Sequence, residues 1–72
     1  MEKTRIPIWL RNKVLINKGG ICGICHINFL KGEKRAVDHI IPEILGGPTE
    51  YWNLQCAHKS CNQKKWKKII LQ

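Results

Sequence analysis

The chain has 72 residues, enough for one small domain, and a chain this short buries only about 60% of the surface its unfolded form exposes. Lys and Arg number 13 against 5 Asp and Glu, and the resulting net charge of +8 makes a polyanion such as nucleic acid the expected partner. No run approaches the roughly 20 apolar residues of a membrane span, and the polar start Glu2-Lys3-Thr4-Arg5 does not read as a signal peptide. The expected setting is therefore cytoplasmic and reducing, with no membrane partner.

The first predicted element is a helix from Pro7 to Lys18. Pro7 suits a first helical turn, and Gly19-Gly20 suits a C-terminal stop. Leu10, Val14 and Asn17 fall on one stripe flanked by Trp9 and Ile16, so the helix reads as core scaffold. From Ile21 to Ile27 the chain reads as a metal knuckle built on Cys22-x2-Cys25, with Gly23 relieving crowding around the metal. A strand is predicted over Lys34 to Ile40, ended by Pro42. Gly46-Gly47-Pro48 marks a loop, and Trp52-Asn53-Leu54-Gln55 a short second strand. From about Ser60 a closing helix is expected, with Trp66, Ile69 and Ile70 inward and the lysines wet.

The four cysteines could form disulfides or hold a metal. In a reducing compartment, Cys-x2-Cys spacing favours a metal. Zinc takes four tetrahedral ligands, often as two short-spaced pairs separated by a longer loop. Cys22 with Cys25, and Cys56 with Cys61, supply four thiolates. His26 and His58 lie close enough to be rivals, but a complete thiolate set needs neither. Such a closed site leaves no position for substrate, so it is expected to be a structural staple for a domain too small to rely on its core. The fold class expected is a small zinc-stapled α+β domain that occupies residues 1–72 as one unit.

Between the cysteine pairs stands Asp38-His39, with Asn53 and Asn62 downstream. Taken together, Cys22-x2-Cys25, Val37-Asp38-His39-Ile40-Ile41-Pro42, Gly46-Gly47, Asn53-Leu54-Gln55 and Cys56…Cys61-Asn62-Gln63-Lys64-Lys65 resemble the HNH endonuclease family. The helix from Trp9 to Leu15 that precedes them matches as well, so the resemblance runs from Trp9 to Lys65. It implies a ββα-metal fold, two antiparallel strands and a helix around one divalent cation, with a helix in front.

It also implies a metal-dependent endonuclease that hydrolyses DNA phosphodiester bonds, by nicking or double-strand cutting. His39 would be the general base, and Asn53 would hold the loop that presents it. Asn62 stands where the family name calls for a second histidine, giving a His-Asn-Asn set. Its amide oxygen suits a hard cation, so Asp38 and Asn62 are the expected ligands of Mg2+ or Mn2+. Lys59, Lys64, Lys65 and Lys68 are expected to meet DNA phosphates without reading bases, and Lys65 to come nearest the scissile bond. The alternatives are a non-catalytic zinc module that binds nucleic acid, and the catalytic piece of a larger site-specific nuclease. A homodimer would serve double-strand cutting.

Overall fold

The computed structural model describes residues 6–70. Helix α1 spans Ile8–Lys18, strand β1 Arg35–His39, strand β2 Leu54–His58 and helix α2 Lys59–Ile70. The strands pair antiparallel in one two-stranded sheet. A ββα unit preceded by a helix is thus present, a small α+β domain.

Helix α1 begins where its sequence directs. Pro7 caps it from outside, and the Pro7 carbonyl accepts from the amides of Leu10 (3.1 Å) and Arg11 (2.9 Å). Leu10 and Val14 are its buried residues, as the stripe requires, whereas Asn17, Trp9 and Ile16 are exposed. Leu10 and Val14 join Leu54 and Cys56 in the core, with Ile6, Leu15, Phe29, Val37 and Tyr51 packed around them. Lys18 ties the end of α1 to the start of β2: its ammonium donates to the carbonyls of Tyr51 (2.9 Å) and Leu54 (2.7 Å) and lies 4.3 Å from the centre of the Tyr51 ring.

The knuckle is a tongue between α1 and β1, closed by a bridge between Ile21 and Asn28. His26 turns the chain there with a left-handed φ of 61°, its amide donating to the Cys22 carbonyl at 3.0 Å. Gly23 is needed for a reason other than the one expected. A Cβ at this position would lie 2.2 Å from the Gln55 side-chain oxygen, so the crowding comes from β2.

β1 matches the predicted strand to within a residue at each end. The second strand lies further along than predicted, at Leu54–His58. Tyr51–Asn53 forms a single 3-10 turn, because the Asn53 amide bonds back to the Glu50 carbonyl at 2.8 Å. Another such turn, Glu43–Leu45, fills the connection after Pro42. α2 follows β2 without a linker. Trp66 and Ile69 are partly buried on it; the inward placement expected of the Ile70 side chain lies outside the described residues.

Candidate metal centre and adjoining cleft

Two constellations of side chains gather beside the sheet. The first draws Cys22 and Cys25 from the knuckle, His58 from the last position of β2 and Cys61 from the first turn of α2. One ligand atom from each lies within 4.8 Å of all the others. Tetrahedral zinc, with Zn–S bonds of about 2.3 Å, requires separations of roughly 3.8 Å. His58 Nδ1 is 3.4 Å from Cys25 Sγ and 3.9 Å from Cys61 Sγ. Three sulfurs and one imidazole nitrogen at these spacings could hold a zinc ion.

This set corrects the expected ligand list. Cys56 does not belong to the cluster; His58 takes its place. Cys56 is buried in the core beneath α1, and its Sγ points to the Val14 carbonyl at 3.7 Å. Burial pushes its thiol up, favouring the neutral form that a core position needs. The backbone of Cys56 still serves the knuckle, since its carbonyl accepts from the Gly23 amide at 2.8 Å. His26 is exposed and outside the cluster. The missed signal was the spacing of His58-x2-Cys61, which repeats that of Cys22-x2-Cys25.

The cluster moves two of its thiols in opposite directions. Burial opposes ionisation of Cys22, but the amides of Cys25, His58 and Ile24 all point at its sulfur, at 3.5, 3.4 and 3.4 Å. Together they hold this thiol down at about 6. Cys61 is pushed the other way, by burial first and then by the neighbouring Cys25 and Cys22 sulfurs. His58 is raised, through Cys22 first and Glu33 after it. Ionised sulfurs gathered this closely would repel, and a bound dication would relieve that repulsion.

The second constellation is a cleft of about 90 Å³, lined by Asp38, His39, Glu43 and Asn62, with Ile6, Val37 and Trp66 at its walls. It has room for an ion with a few waters. The register places Asp38 opposite Gln55 and His39 opposite Leu54. Both Asp38 and His39 are buried. Asp38 Oδ2 accepts from Gln55 Nε2 at 3.2 Å and from Lys65 Nζ at 2.6 Å. The Lys65 ammonium also donates to the carbonyls of His39 and Ile40, so it clamps the end of β1 to α2. It is therefore committed to the strand rather than held out to solvent.

His39 Nε2 lies 2.9 Å from Thr49 Oγ1, and Nδ1 lies 3.8 Å from Glu43 Oε1. Neither Thr49 nor Glu43 was singled out in the sequence. Asn62 Oδ1 is buried and has no hydrogen-bond partner. A buried acceptor left unmet is costly, and a hard cation is one group that meets it.

Asn53 stands behind the cleft rather than in it. Fully buried, it accepts from the Ile41 amide at 2.8 Å and donates to the carbonyls of Ile41 (3.1 Å) and Pro48 (2.8 Å). Its backbone carbonyl accepts from the Ile40 amide at 2.7 Å. This residue pins the loop after His39. Gly47 allows the close approach, since a Cβ there would overlap the Ile41 carbonyl.

Of the predicted lysines, Lys64, Lys65 and Lys68 line a groove with Ile24, Cys25, Cys61 and Ile69, beside the cysteine cluster. Lys59 is exposed at the start of α2, outside that lining. No helix among the described residues is long and apolar enough to cross a membrane.

Compared with known proteins, residues 22–68 match a family model described as HNH endonuclease. No curated protein and no solved structure matches the chain.

Proposed function

Given that this chain belongs to the HNH endonuclease family, we propose that it is a divalent-metal-dependent DNA endonuclease with a structural zinc ion. The observation that carries this reading is Asn62 Oδ1, a buried acceptor without a partner, in the same cleft as Asp38 and His39. Zinc would be held by Cys22, Cys25, His58 and Cys61, with no position left for substrate. Mg2+ or Mn2+ would be held by Asp38 and Asn62. With Asp38 Oδ2 paired to Lys65, the other carboxylate oxygen is the one to serve the ion. A divalent ion bound there supplies Lewis-acid stabilisation of charge on the phosphate and on the leaving 3′ oxygen.

His39 acts as general base. In the tautomer whose Nε2–H is donated to Thr49 Oγ1, Nδ1 carries the lone pair that takes a proton from the attacking water. The water oxygen bonds to phosphorus as the P–O3′ bond breaks. Asn53 holds the loop against recoil, so the imidazole keeps one orientation. Lys64 and Lys68 meet the DNA backbone along their groove, with Lys59 adding to the field, and such contacts attract phosphates without reading sequence. Lys65, committed to Asp38 and to the end of β1, steadies the carboxylate beside the ion rather than meeting the phosphate.

Supercoiled plasmid incubated with Mg2+ or Mn2+ tests this. Wild type should nick or linearise it, and His39→Ala should lose at least about 100-fold in rate while keeping zinc. Asp38→Ala and Asn62→Ala should lose metal-dependent cleavage. Intact plasmid under every divalent metal removes the nuclease reading, and undiminished cutting by His39→Ala removes the base assignment. A second reading, a non-catalytic zinc module that binds nucleic acid, draws on the Asp38–Lys65 pair, which gives Asp38 a structural task. Binding without cleavage would favour it.

A further inference from the structure

His58 is held from both sides. Its Nδ1 faces the sulfurs of Cys25 and Cys61, while its Nε2 lies 3.3 Å from Glu33 Oε1. The carboxylate cannot swing away freely. The same oxygen accepts from the Leu30 amide at 2.7 Å, and the Glu33 amide donates to the Leu30 carbonyl at 3.0 Å, across a turn made by Gly32 at φ 83°. Arg35, which stands opposite His58 in the register, donates through Nη1 to the Glu33 carbonyl at 3.2 Å. Its guanidinium lies 4.6 Å over the Phe29 ring, and Phe29 in turn packs on the imidazole at a centroid distance of 4.6 Å.

We propose that Glu33 is the positioning residue of the metal centre, accepting the Nε2–H of His58 so that the imidazole presents Nδ1 to the zinc. The assignment rests on the zinc reading given above. A histidine has two nitrogens that can bind a metal, and the hydrogen bond made by one selects the other. A carboxylate at Nε2 fixes that choice and enriches the electron density of the ligating nitrogen. Phe29, backed by Arg35, limits rotation of the ring. The chain thereby keeps a mixed nitrogen–sulfur site in one geometry, although its histidine sits at the end of a two-stranded sheet.

The test compares zinc affinity, by competition with a chelator, in wild type, Glu33→Ala and Glu33→Gln, together with the imidazole 15N resonances of His58 in the zinc-loaded proteins. Glu33→Ala should weaken zinc about 10- to 100-fold, the range typical of losing such an outer partner. Its His58 should show loss of the hydrogen-bonded Nε2–H signal. Glu33→Gln retains an oxygen for both Nε2–H and the Leu30 amide, so it should recover most of the affinity and the Nδ1-bound pattern. Wild-type affinity in Glu33→Ala would overturn the assignment. So would lost affinity with an unchanged Nε2–H signal, because the residue would then serve only the turn. A wild-type chain that takes up no zinc would defeat the zinc reading and this assignment together.

Discussion

Cys56 and His58 stand two positions apart in β2, and the packing of α1 separates their roles. Val14 and Leu10 cover Cys56, whose sulfur turns to the Val14 carbonyl, whereas His58 lies past the covered part of the strand. Cys56→Ala should therefore keep full zinc stoichiometry and lose only packing, while His58→Ala should lose zinc or bind it far more weakly. Metal analysis after gel filtration distinguishes them, and zinc lost from Cys56→Ala would restore the all-cysteine set. Ligand chemistry alone favours thiolates, and the sequence carries no direct mark of how far along β2 the cover of α1 extends. The paired x2 spacings were the one local clue. Asp38, His39 and Asn62 were legible because their types and order match a known pattern. Thr49, Glu43 and Glu33 were not, since a lone Thr or Glu in a loop has no spacing to betray it.

At the level of elements, α1 could be read almost to the residue because Pro7, the Leu10–Val14 stripe and Gly19-Gly20 agree with one another. β2 was displaced because Gln-Cys-Ala-His has none of the β-branched or aromatic residues that mark strands. Pairing with β1 makes this stretch a strand, and Asn53 holds the residues before it in a turn. Leu54 is the hinge of that arrangement, fully buried where β2 begins against α1. Leu54→Ala should lower stability by roughly 2–5 kcal/mol, read from the urea midpoint of the zinc-loaded protein. Trp9→Gln, at an exposed site on α1, should stay within about 0.5 kcal/mol. Similar costs for the two would mean that α1 does not pack as described.

For the whole molecule, the apolar residues that are buried among those described are Leu10, Val14, Cys22, Leu54, Cys56 and Ala57, a core too small to carry a fold unaided. The zinc proposed for Cys22, Cys25, His58 and Cys61 would join the knuckle, β2 and α2 at one point, so chelation should abolish the cooperative unfolding transition and much of the far-UV circular dichroism. Acid should act in the same way. The fold holds the Cys22 thiol at about 6, below its ordinary range, so this contribution is complete above the unfolded thiol's range and is lost as pH falls through about 6. Zinc and structure should survive at pH 7–8 and disappear together at or below about pH 6, followed by circular dichroism with zinc assay; persistence to pH 4 would contradict it.

The sequence by itself determined the size class, the basic field, the ends of α1 and three residues of the cleft, Asp38, His39 and Asn62, because composition, caps and motif order are local properties. Only the tertiary structure decided that His58 rather than Cys56 joins the cysteine cluster, that Lys65 rests on Asp38, and that Asn62 Oδ1 lies buried without a hydrogen-bond partner. These depend on how far the cover of α1 reaches along β2 and on where α2 packs against the sheet, and spacing along a chain does not encode that.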